Sequence, residues 1–151
     1  MPRISRRLLI GGGVTAVALA GVGGYVAHTL RQTAADTALT PPDAHAAARD
    51  GRILLVDIRR PDEWRKTGIP EGAVPIDLRR DDFTDAVSAS RAFPDQPVAV
   101  ICARGVRSRR MTVRLDEAGI TPIIDVPEGM LGSGAGPGWL ERGLPVRSWN
   151  G

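Results

Sequence analysis

Apolar residues follow two rhythms along this 151-residue chain. Leu8 to Ala27 is one uncharged run with no polar face. Further on, short apolar blocks alternate with amphipathic stretches. Four blocks have strand length: "ILLVDI" (53–58), "AVPIDL" (73–78), "PVAVIC" (97–102) and "TPIIDV" (121–126). "ILLVDI" and "PVAVIC" are apolar at successive positions, the pattern of strands buried on both faces. The stretches between them read as helices. "LTPPDAHAAARDG" has Thr40 as N-cap, Pro41 in the first turn, Asp43 completing a capping-box-like pattern and Gly51 as a stop. "RPDEWRKTG" reads as a helical turn, a further helix lies within 81–92, and another runs from about Val106 to Ala118. A Gly-rich loop and a short helix near Trp139 close the chain. Strands alternating with helices predict an α/β fold of three layers, a central, mostly parallel sheet flanked by helices on both faces. Ligands of such sheets bind outside the carboxyl ends of the strands.

The front of the chain has a different character. Arg3, Arg6 and Arg7 precede the apolar run, and small residues follow it. This is the pattern of an export signal or an N-terminal membrane anchor, so residues 1–35 read as a leader, an apolar helix preceding a domain of residues 36–151. Ser5-Arg6-Arg7-Leu8-Leu9 partly matches a twin-arginine signal. The arginines place the N-terminus in the cytoplasm and the domain in the periplasm, exported or anchored in the inner membrane through residues 8–27. Cleavage near Thr33-Ala34-Ala35 and retention of the leader both stay open.

The leader also explains the basicity. All 17 acidic residues lie beyond residue 35, whereas four of the 20 basic ones precede it. The domain is therefore close to neutral, which disfavours a nucleic-acid partner.

Cys102 is the only cysteine. An intramolecular disulfide and a Cys-rich metal site are excluded, and an inert buried thiol or a reactive one remains. Position favours reactivity, because Cys102 ends a strand and a helix starts a few residues later. The connecting Ala103-Arg104-Gly105-Val106-Arg107 contains a glycine that lets backbone N–H groups turn inward. That makes a nest for negative charge at a helix N-terminus, able to hold a sulfur as thiolate. Arg104 and Arg107 are candidates to grip an anionic substrate, and Ser108 to cap the helix or donate a further hydrogen bond. Asp57 and Arg59, at another strand end, belong either to a structural network or to substrate positioning. Trp64 and Trp139 read as packing residues, and His45 as part of a surface helix.

"CARGVRS" resembles the active-site loop of the rhodanese sulfurtransferases, Cys-x-x-Gly-x-Arg-Ser. "LLVDIRRPDEWRKTGIPEGAVPIDL" is similar to the family's first signature, and "GWLERGLPV" to its C-terminal end. The resemblance spans about residues 38–147 and implies a rhodanese-like fold. It also implies transfer of sulfane sulfur through a Cys102 persulfide, from thiosulfate or another persulfide donor to an external thiol or cyanide. Arg104, Gly105, Val106, Arg107 and Ser108 would bind substrate, and no metal or organic cofactor is required. Two segments depart from the pattern. Thr67-Gly68-Ile69 replaces the usual Gly-His-Ile with Glu71 inserted, and "VPEGMLGSGAGPGWL" is richer in glycine. Two other readings stay open: a non-catalytic binding or redox-sensing module at the membrane, and a cysteine-loop phosphatase or arsenate reductase. The latter enzymes use Cys-x5-Arg, whereas this loop is Cys-x4-Arg.

Overall fold

The computed structural model describes residues 38–151. The expected leader, its apolar helix and the boundary at residue 35 lie outside the described residues. Among the described residues no helix is long and apolar enough to cross a membrane.

In chain order the elements are α1 (Pro41–Arg49), β1 (Leu54–Asp57), α2 (Pro61–Thr67), β2 (Ile69–Pro70), β3 (Ala73–Pro75), α3 (Phe83–Ala89), β4 (Val98–Ile101), α4 (Val106–Glu117), β5 (Ile123–Asp125), α5 (Gly138–Glu141) and β6 (Val146–Arg147). Four strands form a sheet in the order β3-β1-β4-β5, and every pairing is parallel. β1 and β4 occupy the middle, each paired on both sides. All four residues of each are buried, which is why both read as unbroken apolar runs.

Side chains of these strands alternate between two cores. Leu55, Ala99 and Ile101 pack with Ala44 and Ala47 of α1, Trp64 of α2 and Trp139 of α5. Leu54, Val56, Val98, Val100 and Cys102 pack on the other face with Phe83 and Val87 of α3 and Met111 and Leu115 of α4. Helices therefore cover both faces, giving the expected three layers. Thr40 is the N-cap of α1, its hydroxyl accepting from the Asp43 N–H.

Sequence periodicity misses one feature, a two-stranded antiparallel sheet in which β2 pairs with β6. Two-residue strands are too short to show a period, and Pro70 contributes no ladder donor. His45 also departs from expectation. It lies on α1 but faces inward, its ring edge-on to Trp139 at 5.5 Å and Nε2 3.3 Å from Glu71. Trp64 and Trp139 are buried packing residues, as their apolar bulk suggests.

Candidate active site

The site is built where β4 gives way to α4. β4 ends at Ile101 and α4 starts at Val106, so the chain must turn within four residues. Gly105 makes this possible. It is the N-cap of α4 with φ +81°, and a Cβ there would lie 2.2 Å from the Pro127 carbonyl oxygen. Only glycine fits both the left-handed backbone and the close approach. The turn folds around sulfur. Cys102 Sγ accepts hydrogen bonds from the N–H of Gly105 at 3.2 Å and of Ser108 at 3.4 Å. The thiol also lies 3.7 Å from Ser108 Oγ, which donates to the Gly105 carbonyl at 3.1 Å. Ser108 is thus a third-position residue of α4 that closes the turn, and the N-cap position expected for its hydroxyl belongs to Gly105. The Cys102 residue is 1% exposed, so the nest encloses most of the sulfur.

The Gly-rich segment after β5 seats this loop. Met130 N donates to the Cys102 carbonyl and Leu131 N to the Ala103 carbonyl, both at 2.9 Å. Gly129 comes so close that a Cβ would lie 2.5 Å from the Ala103 oxygen. Behind it, the buried Glu128 carboxylate accepts from Gly138 N at 3.0 Å and from two nitrogens of Arg142 at 2.8 Å. Arg142 holds the Glu128 carboxyl below its usual range, against the opposing effect of burial. Gly132, Gly136 and Gly138 likewise stand where a Cβ would clash with neighbouring atoms, whereas Gly134 has open space around it.

The arginines do not all face an open site. Arg107 forms a bidentate pair with Glu63 of α2, Nη1 to Oε2 at 2.7 Å and Nη2 to Oε1 at 2.6 Å. That fork of hydrogen bonds from Arg107 lowers the Glu63 pKa to about 2, helped by the Arg60 N–H and opposed by burial. The Arg107 pKa is raised, first by Glu63, with a smaller contribution from Cys102. Arg104 spreads over the seat, Nη1 donating to the Gly132 carbonyl at 3.1 Å and to Leu131 at 3.4 Å. Those acceptors are neutral, so its charge is retained. Val106, at the first position of α4, is 61% exposed, leaving its backbone as its part of the turn.

Asp57 ends β1 opposite Ile101, the residue before Cys102, and Arg59 follows it. Both are buried and joined to each other, Arg59 Nε to Asp57 Oδ1 at 2.9 Å and Nη2 to Oδ2 at 2.7 Å. Arg59 also donates to Thr67 Oγ1 and to the Gly68 carbonyl, each at 2.7 Å. The pair ties the end of β1 to the end of α2, and Thr67, one of the departures from the signature, is one of its acceptors. A cleft of about 330 Å³ opens beside it, lined by Arg59, Arg60, Asp62, Glu63, Lys66, Thr67 and Leu131.

The structure brings Cys102, Gly105, Val106, Arg107 and Ser108 into one turn and sets Arg104 across its seat. Glu63 is the residue sequence reasoning missed. The acid–aromatic pair Glu63-Trp64 was the available signal, since burying Trp64 on a short helix fixes where its neighbour can reach.

A thiol held by backbone donors between a parallel strand and a helix defines a cysteine-loop protein of the α/β class. The profile of the rhodanese-like domain matches residues 40–132, and the chain belongs to that family. Among solved structures, an M. tuberculosis protein is 31% identical, covering 74% of this chain and 96% of its own, with a TM-score of 0.57. The polysulfide-sulfur transferase of Wolinella succinogenes, a homodimer, is 26% identical over 85% of this chain and 90% of its own, at 0.58. A thiosulfate sulfurtransferase of Pseudomonas aeruginosa shares the fold at 24% identity and a TM-score of 0.59. It is matched over 75% of this chain but only 20% of its own. No protein of curated function matches significantly.

Proposed function

We propose that this chain is a sulfurtransferase that carries sulfane sulfur on Cys102. The observation that carries the reading is the pair of backbone N–H groups, from Gly105 and Ser108, converging on Sγ at 3.2 and 3.4 Å. Donors fixed in this way stabilise an anionic sulfur before and after transfer without reorganising. The Cys102 thiolate attacks the outer sulfur of a small anionic donor. With thiosulfate, the S–S bond to the sulfonate breaks, sulfite leaves with the bonding pair, and Cys102 becomes a persulfide anion. An external thiolate or cyanide then takes the terminal sulfur and returns the Cys102 thiolate. A single cysteine supplies no resolving thiol, so the acceptor is another molecule. The six-residue stretch from Cys102 to Arg107 and the engagement of Arg107 by Glu63 speak against the phosphatase reading. The test is thiocyanate formation from thiosulfate and cyanide by the full chain. Turnover is expected, falling to background in Cys102→Ser; equal rates in the two proteins would refute the assignment.

The leader belongs to the same proposal. Its three arginines and uncharged run support export of the domain to the periplasm, either cleaved or tethered through residues 8–27. Fractionation of cells expressing the full chain is expected to place the domain where protease reaches it from the periplasmic side. Protection from that protease in intact spheroplasts would exclude export.

A further inference from the structure

Two arginines stand on the sulfur loop, but they do not contribute equal charge to it. Arg104 donates only to neutral carbonyls and keeps its full positive charge. Arg107 is matched in charge and geometry by Glu63, at 2.6 and 2.7 Å, and Glu63 is itself only 20% exposed. The surrounding groups do not undo this cancellation. Arg60 lies 3.5 Å from Glu63 and 3.3 Å from Asp62, while Asp57 and Arg59 neutralise each other inside the core. Lys66 and Asp62, of opposite charge, line the same cleft as Glu63. Counted with the Cys102 thiolate that reacts, the loop thus presents a net charge close to zero, where two uncompensated arginines would leave it with one positive charge.

We propose that Glu63 is a positioning residue that selects the sulfur donor, matching the loop to monoanionic sulfane donors and penalising dianionic ones such as thiosulfate. This rests on the sulfurtransferase reading above. Electrostatic attraction scales with the product of the charges, so any change in site potential acts about twice as strongly on a dianion. Glu63 also holds the guanidinium in place, and a donor would have to outcompete a bidentate carboxylate to recruit it.

Methanethiosulfonate and thiosulfate test this with near-isosteric molecules, a methyl group replacing one charged oxygen. Both deliver the same sulfur. The Cys102 thiolate attacks the outer sulfur and the S–S bond breaks. Methanesulfinate or sulfite leaves with the electron pair, and the Cys102 persulfide anion forms in each case. The second-order rate constants for the full chain and for Glu63→Gln are compared at low ionic strength. Removing the carboxylate charge is expected to speed methanethiosulfonate about 3-fold and thiosulfate about 10-fold, since the same potential acts on one charge and on two. Glu63→Asp, which keeps the charge while shortening the side chain, is expected to retain the wild-type donor ratio. Equal factors for both donors in Glu63→Gln would show a merely structural role and overturn the proposal.

The wild-type chain gives a second readout that does not depend on a variant folding. The dependence of the thiosulfate rate constant on ionic strength reports the effective charge of the reacting site, expected to be close to zero because Arg104 offsets the Cys102 thiolate. A value of about one positive charge would mean that Arg107 is uncompensated, and the proposal fails. If the wild-type chain takes sulfur from neither donor, the sulfurtransferase reading fails and the selectivity falls with it. If it takes sulfur but the donor ratio is unmoved in Glu63→Gln, only the selectivity fails.

Discussion

At the scale of single residues, the site depends on which charges are already satisfied. Glu63 and Arg107 are joined by two short hydrogen bonds in a partly buried setting, where such a pair resists screening better than a fully exposed one. The linkage to pH follows from the depressed Glu63 pKa. Its ordinary value is 4.5 and its value in the fold is about 2, so the pair stabilises the protein fully above pH 4.5. That contribution is lost as pH falls from 4.5 towards 2, while Glu63 protonates first in the unfolded chain. Allowing for solvent screening, it amounts to roughly 1–2 kcal/mol. Urea unfolding of wild type and Glu63→Gln across this range is expected to show curves separated near pH 6 that converge towards pH 2. A constant separation would mean that the carboxylate charge is not what stabilises. The Asp57–Arg59 pair works differently. Fully desolvated and hydrogen-bonded to Thr67 and the Gly68 carbonyl, it fixes the β1–α2 corner from which Glu63 reaches the loop.

At the scale of elements, the sulfur turn is held from two directions, by the N-terminus of α4 below Sγ and by the segment after β5. This second support explains Gly129. Gly129→Ala would force a Cβ to within 2.5 Å of the Ala103 oxygen and place alanine at φ +68°. The left-handed backbone alone costs about 1–3 kcal/mol, and relief of the clash must move the loop that carries Cys102. The expected outcome is a lowered Tm together with a fall in sulfur-transfer rate larger than the change in the folded fraction explains. A Tm loss with an unchanged rate at a temperature where the variant is folded would show that the seat does not position the loop.

The same elements show how far the sequence could be read. The four parallel strands were legible because β1 and β4 are buried on both faces and leave continuous apolar runs. Helices α1 and α4 were legible from capping residues and terminal glycine. The loop was legible because cysteine, glycine and arginine occur together between a strand and a helix. What was not legible depends on partners distant in sequence. Arg107 meets Glu63 across 44 residues, Met130 and Leu131 hold the carbonyls of Cys102 and Ala103, and β2 pairs with β6 at the far end of the chain. No local period records such contacts, so the sequence alone shows Arg107 without its Glu63 partner.

At the scale of the whole molecule, two cores on opposite faces of one sheet brace a loop that lies at the carboxyl end of a central strand. The chain's final turn closes the side of the domain that carries Trp64. Trp149 packs edge-on to Trp64 at 5.2 Å, and Trp139 Nε1 donates to the Pro145 carbonyl at 3.0 Å. The proposed sulfur chemistry falls to this turn, in a chain with one cysteine and no second thiol to discharge it. The most direct measurement of that assignment is the intact mass of the reduced full chain after brief exposure to thiosulfate, beside Cys102→Ser treated identically. The expected result is a gain of one sulfur atom in the wild-type chain alone, removed again by cyanide. A folded, reduced wild-type chain that gains no sulfur, or a Cys102→Ser chain that gains as much, would contradict the account.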